Sequence, residues 1–328
     1  PTYRGTTEVE AITAGGPGFV AVGAGGQQLR GRVWTSADGL SWSAAPDEQF
    51  VGYRLRHVVR AGDPLFAFGR DQRGTRVWRS SEGREWTSLP EASELVGAGV
   101  NDVTVVEGTL LAVGFSEDPE YGGAVWRSTD GGDWQRVAAP QEDVELWAVA
   151  TLGTTLVGIE RDPFGLPSVH FSDDLGDSWQ PAQVDFVFGE DGGSLVDVAA
   201  DGRRFVAVGY ADSLYYPPIA ARSGDGTNWN SRRPAGVDLL GQVVALRGGG
   251  FLALEGGGMR ALISGNGRDW TEIAPLRTDR PAPPLPPEIG DEVVTFRALA
   301  ANRSGVVVAQ PWGDGVVVLF GPQALFGR

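Results

Sequence analysis

Apolar runs of strand length recur along the chain in pairs, each pair broken by a Gly-rich turn. The clearest are AITAGGPGFVAVG (Ala11 to Gly23), DVTVVEGTLLAVG (Asp102 to Gly114) and DVAADGRRFVAVG (Asp197 to Gly209). Runs of this kind bounded by Gly predict two short strands joined by a tight turn. A second half-unit follows each pair. It reads VWTSADGLSW from Val33, VWRSSEGREW from Val77, VWRSTDGGDW from Val125, VHFSDDLGDSW from Val169, AARSGDGTNW from Ala220 and ALISGNGRDW from Ala261. The closing residues Trp42, Trp86, Trp134, Trp179, Trp229 and Trp270 lie 41 to 50 positions apart, the period of a four-stranded propeller blade.

The full unit is therefore strand, turn, strand, variable loop, strand, Ser-x-Asp-Gly turn and a last strand that starts at Trp. One such sheet cannot bury both its faces, whereas copies stacked around an axis cover one another. The upstream half can be counted seven times, near Ile12, Val59, Val103, Val149, Val198, Val244 and Leu299. The sequence thus predicts an all-β, seven-bladed propeller of four-stranded antiparallel blades, the last irregular, in one domain spanning 1–328. The blades fall near 8–46, 55–90, 100–140, 146–183, 195–234, 240–275 and 296–328. Pro1 aligns with Pro46, Pro90, Pro140, Pro234 and Pro275, where outer strands end. The seventh outer strand is expected from the tail Gln323 to Arg328, from an exchanged N-terminal segment, or not at all. Arg280 to Glu288 is Pro-rich and predicts a long surface loop ahead of the last blade.

In the Ser-x-Asp-Gly units, Asp accepts hydrogen bonds from nearby amides, Gly supplies positive φ and Trp buries a large ring with its N–H free to bond backbone. A structural staple is the expected role of Asp38, Glu82, Asp130, Asp174, Asp225 and Asn266, since a repeated catalytic carboxylate would not drift to Glu and Asn. The six units resemble the Asp-box, or bacterial-neuraminidase-repeat, propellers of the sialidase-like superfamily, over essentially the whole chain. That resemblance implies a propeller with its Asp boxes at the blade periphery, opposite the ligand face. Sialidases of the group use three arginines, an Arg-Ile-Pro motif and a Tyr/Glu nucleophile pair. Tyr3-Arg4-Gly5 is the nearest match and lacks Ile-Pro, so sialidase activity is not expected.

Composition narrows the partner. Forty-nine Gly and 21 Pro fit a turn-rich chain, and 42 acidic against 27 basic side chains, all Arg, give a net charge of −15. Nucleic acid needs a basic surface and is not an expected partner. No Cys is present, which excludes disulfides and thiolate chemistry, and His57 and His170 are the two histidines, too few for a His-rich metal site. No cofactor or metal is expected. No apolar run reaches the roughly 18 residues of a membrane helix, and residue 1 is not Met, so an exported, extracytoplasmic protein with its targeting segment removed is the expectation.

If the Ser-x-Asp turns share one face, the other loops share the opposite one. Aligning the upstream halves puts Glu10, His57, Asn101, Trp147, Val196, Gln242 and Arg297 at one equivalent position, two residues before the uniform packing residues. That contrast predicts the mouth of a central channel. At the exit of the second strand Gly23, Gly69, Gly114 and Gly209 set the consensus, and Glu160, Glu255 and Gln310 replace it; Arg70, Phe115, Arg161 and Tyr210 come next. Long loops add Tyr121, Phe164, Tyr215 and Tyr216. Carboxylates, guanidiniums and rings on one rim suit a polar ligand, with Trp147 or Tyr210 as a stacking platform. The expected function is a non-enzymatic binding or scaffold propeller that presents this rim to a protein or glycan. The alternative is a glycoside hydrolase or lyase with Glu160 and Glu255 as acid and base, which requires the two carboxylates within about 10 Å of each other.

Overall fold

The computed structural model describes residues 7–25, 29–39, 41–117, 120–141, 143–160, 168–185, 192–211, 217–237, 240–246, 248–255, 260–272, 298–301, 306–312 and 315–321. Blade one sets the pattern: Thr7–Gly15, Gly18–Gly25, Arg30–Ser36 and Ser43–Ala44 pair in sequence order as an antiparallel sheet. Five further sheets repeat it, with inner strands Arg54–Arg60, Ala98–Val106, Leu146–Leu152, Gly193–Ala200 and Leu240–Ala245. Each inner strand packs beside the next.

The expectation of seven four-stranded blades is corrected to six. Among the described residues the last segment pairs Ala298–Ala301, Val306–Trp312 and Gly315–Gly321. This three-stranded sheet lacks a Ser-x-Asp-Gly turn to fold the chain back as an outer strand. Its first strand packs beside the inner strands of blades one and six. The segments proposed for closure, 1–6 and Gln323 to Arg328, and the Pro-rich stretch from Arg280 to Glu288 lie outside the described residues. Blade four also ends earlier than its expected limit at 183. Its outer strand is Gln180–Pro181, and Gln183–Asp185 crosses to pair in parallel with Asn228–Arg232 of blade five.

The blades are held by apolar side chains on both faces, with Phe19, Phe68, Trp78, Trp126, Phe205 and Trp229 among those fully covered. Such burial is the dominant favourable term in folding. The Ser-x-Asp-Gly turns fasten the outer edge. In blade three the Ser128 hydroxyl donates to Asp130 (3.2 Å) and accepts the Gly131 amide (2.9 Å). The Asp130 carboxylate takes the amides of Gly132 and Asp133 (2.8 and 2.9 Å), and the Trp134 indole donates to the Gly131 carbonyl (2.8 Å). Gly131 sits at φ 80°, where a side chain would be strained.

The two divergent copies behave differently. Asn266 reproduces the motif, its side-chain oxygen accepting the amides of Arg268 and Asp269 at 2.7 and 2.9 Å. Among the described residues the Glu82 carboxylate takes no such bond, because its longer side chain overshoots the turn, and Ser80 alone holds the Gly83 amide at 2.8 Å. Asp130→Ala is therefore expected to lower the unfolding free energy by about 1–2 kcal/mol and Glu82→Ala by less than about 0.5 kcal/mol. Urea titrations of the two variants check this, and equal losses would contradict it.

Candidate functional site

Every complete blade carries a β-bulge near the start of its inner strand. The register skips one residue between Val9 and Ala11, Leu55 and His57, Val100 and Asp102, Leu146 and Ala148, Leu195 and Asp197, and Leu240 and Gln242. The extra residues are Glu10, Arg56, Asn101, Trp147, Val196 and Gly241. Two positions on stand Ile12, Val58, Val103, Val149, Val198 and Val243, all buried. The sequence alignment is thus one residue out of step in blades two and six, where it matched His57 with Val59 and Gln242 with Val244. A bulge re-aims side chains at the rim of a sheet and leaves no mark in hydrophobic spacing.

The bulges also explain the glycine at the exit of the second strand in blades one, three and five, whereas Gly69 is hemmed in by the Leu55 and Trp78 side chains. A Cβ on Gly114 or Gly209 would lie 2.0 Å from the carbonyl oxygen of Gly99 or Ser194, respectively, brought close by the bulge opposite.

His57 and Gln242 consequently belong to a second tier, one residue further in, with Asp102 and Asp197. Three of them, Asp102, Asp197 and His57, tie neighbouring blades together. The Asp102 carboxylate accepts its own strand's Val103 amide (2.8 Å) and the Val149 amide of blade four (2.9 Å). Asp197 does the same with Val198 (2.8 Å) and Val243 of blade six (2.9 Å). The His57 ring donates from Nε2 to the Val100 carbonyl of blade three at 3.2 Å. Burial pushes Asp102 up to about 6 and Asp197 up to about 7, with the Asp102 charge adding to the second shift, while the backbone bonds pull the other way. Burial, with Arg56 adding, pushes His57 down to about 4. The Gln242 side-chain oxygen is buried and has no partner among the described residues. Asp102 and Asp197 were not singled out from the sequence, although both open the Asp-Val pair that begins their apolar runs.

A connected cluster covers the rim of blades two to four. Arg70, at the exit of a second strand, places its guanidinium carbon 4.7 Å from the centroid of the Phe115 ring and bonds Glu117 at 2.9 Å. Gly99 makes room for this stack, since a Cβ there would meet the Phe115 ring at 2.4 Å. Phe115 in turn contacts Tyr121, with ring centroids 5.1 Å apart and planes tilted by 33°. The Tyr121 hydroxyl donates to Glu145 at 2.6 Å, and the other Glu145 oxygen accepts the Asn101 amide at 2.6 Å. Asn101 also donates to the Leu146 carbonyl at 3.1 Å, which fixes the backbone next to Trp147. The result is a pre-ordered surface on which Tyr121 is 68% exposed and Trp147 40% exposed. Glu10, one blade further round, is held with Glu8 by Arg54, whose Nε donates to it at 2.8 Å.

The proposed acid and base do not stand as free groups. Glu160 bonds the buried His170 at 3.2 Å within blade four. Glu255, itself buried, pairs with Arg260 at 3.2 Å within blade six, and Arg260 also bonds Glu272 at 3.0 Å. Tyr210 is half-buried beside the exit of blade five. Gln310 pairs through its backbone with Val317. Arg161, Phe164, Tyr215, Tyr216, Arg297 and Tyr3-Arg4-Gly5 lie outside the described residues. Among the described residues no three His, Asp or Glu side chains gather as a metal site, and no helix is long and apolar enough to cross a membrane.

Residues 36–187 match a family model described as the DUF6242 beta propeller domain. No curated protein matches the chain. Solved propellers match over nearly its full length. YCF48 bound to D1 peptide has a TM-score of 0.62 at 13% identity, covering 96% of this chain and 94% of that one. The β-propeller domain of the Trilobed protease from Pyrococcus furiosus has a TM-score of 0.61 at 12% identity, covering 97% and 94%. Virginiamycin B lyase from Staphylococcus aureus has a TM-score of 0.59 at 10% identity, covering 95% and 94%. At these identities the likeness shows the β-propeller fold.

Proposed function

We propose that this chain is a non-enzymatic binding propeller that takes a protein segment on the rim of blades two to four. One observation carries the reading: Tyr121 is 68% exposed, yet its ring is stacked on Phe115 and its hydroxyl is tied to Glu145. An exposed ring already held in one orientation loses little entropy when a ligand lands on it. The likeness to YCF48, seen bound to a D1 peptide, supports a peptide as the ligand class. Kinship with the Asp-box superfamily, carried by the Ser-x-Asp-Gly turns, and an extracytoplasmic location are parts of the same proposal. The glycosidase alternative is disfavoured because Glu160 and Glu255 are each engaged by a partner in their own blade.

Selection of a random-dodecapeptide display library tests this. Clones retained by the native protein and lost on the Tyr121→Ala/Trp147→Ala double variant are the expected result. Clones that bind both proteins equally, or a glycosidase activity abolished by Glu160→Gln, would overturn the reading.

A further inference from the structure

Resting on that reading, we propose that the segment bound at this rim is basic, with an arginine side chain seated against the Tyr121 ring and flanked by the carboxylates of Glu117 and Glu145. The rim already contains one instance of the recognition it would offer. Arg70 is held by an aromatic face, Phe115, at 4.7 Å and by a carboxylate, Glu117, at 2.9 Å. Phe115 packs on Tyr121, so the same pairing of ring and carboxylate is continued outward by the exposed Tyr121 and the half-buried Glu145. A guanidinium suits such a site because its flat face stacks on a ring while its edge bonds carboxylate oxygens.

Charge points the same way. Glu120 adjoins Tyr121, Asp143 lies two residues before Glu145, and both are exposed. Arg70 is committed to Glu117 and Phe115. The Tyr121 hydroxyl is pushed up to about 12, chiefly by its bond to Glu145, then by burial and the Glu145 charge, with Arg70 pulling the other way and Glu117 adding last. Carboxylates gathered around an exposed ring attract a cation to it, and an acidic segment would meet several of them at once. A chain of net charge −15 also draws a basic partner from a distance.

Fluorescence anisotropy with three labelled octapeptides tests the proposal: alternating Gly and Arg, the same peptide with citrulline for Arg, and the same with Glu. Citrulline keeps the shape of arginine and removes its charge. The native protein is expected to bind the Arg peptide at least about tenfold more tightly than the citrulline peptide, more weakly as salt rises, and to leave the Glu peptide unbound. In Tyr121→Ala that preference is expected to fall to within about twofold, and in Tyr121→Phe, which keeps the ring, most of it remains. Equal affinity for the Arg and citrulline peptides, or no measurable binding of the Arg peptide, would overturn the proposal. So would an Arg preference unchanged in Tyr121→Ala, which would assign the attraction to overall charge. Library clones that need Tyr121 and Trp147 but contain no cationic residue would leave the binding function standing and remove only this inference.

Discussion

Trp229→Ala is expected to lower the unfolding free energy by about 3–5 kcal/mol, the range for emptying a buried Trp site. The indole is 2% exposed and packs against Phe205 at a centroid distance of 6.2 Å, in a cluster that includes Val157 of blade four with Leu195 and Ile219 of blade five. Its N–H donates to the Gly226 carbonyl at 2.9 Å, closing the Ser-x-Asp-Gly turn. Trp229 is also the residue opposite Val184 in the parallel strand that crosses from blade four, which the Gln183 amide and the Ser231 hydroxyl fasten at 2.8 Å each. The variant therefore opens a cavity and loosens a tie between two blades. Trp42→Ala makes the comparison, because Trp42 is only half-buried while its bond to Gly39, at 3.0 Å, is the same. Its expected cost is about half as large. Denaturant unfolding followed by far-ultraviolet circular dichroism measures both, and equal costs would show that the turn bond, rather than burial, is what Trp contributes.

The repeat of these tryptophans made the fold readable. A Trp closing each Ser-x-Asp-Gly unit fixes where each outer edge must turn, and stacking follows from the need to cover both faces of every sheet. Counting blades was less secure, because upstream halves recur once more than the turns that complete a four-stranded sheet. The residues from Ala298 onward have the alternation of inner strands and lack the turn. The rim was legible in part. Asn101, Trp147 and Arg70 stood out as polar or aromatic departures at repeat positions, and Tyr121 as a ring in a long loop. Glu145, which joins Tyr121 to Asn101, gave no signal, since its role arises from a contact between blades. Bulges displaced the alignment at His57 and Gln242, for hydrophobic spacing has period two on either side of a bulge and hides the inserted residue. Glu160 and Glu255 look like a pair because they share a repeat position, yet each has a cationic or imidazole partner in its own blade.

The inner tier makes stability depend on pH in two opposed ways. Asp102 and Asp197 have folded values near 6 and 7, above the ordinary aspartate value of 3.8. Their contribution is complete below about pH 4 and is lost as pH rises through 6 to 7, because the folded state then holds charged carboxylates between blades. His57 is shifted the other way, to about 4 from 6.5. Its contribution is complete above about pH 6.5 and is lost as pH falls toward 4, when the ring must charge beside Arg56. Asp130, Asp174 and Asp225 lie below the ordinary range. Bonds from Asp133 and Gly132 hold Asp130 down and the Ser178 bonds hold Asp174 down, while the Asn228 and Thr227 amides outweigh burial at Asp225. Their stabilisation is present at neutral pH and disappears only as pH falls through those depressed values.

Between pH 8 and pH 6 the two inner aspartates outweigh the opposing His57, and the native protein is expected to gain on the order of 1 kcal/mol on acidification. A tenfold difference in proton affinity between the folded and unfolded chain is worth about 1.4 kcal/mol, and water reaching the half-buried carboxylates relieves part of it. In Asp197→Asn the gain shrinks by more than half, together with a lower stability at pH 6, since the amide cannot accept from both Val198 and Val243. In His57→Gln the profile rises more steeply below pH 6 than that of the native protein, in which charging of the ring offsets part of the gain. Urea midpoints at half-unit steps from pH 4.5 to 8 separate the three curves. A native profile that is flat over this range and unaltered by Asp197→Asn would mean that the inner carboxylates are solvated well enough to titrate like exposed ones, and the blades would then be held by packing alone.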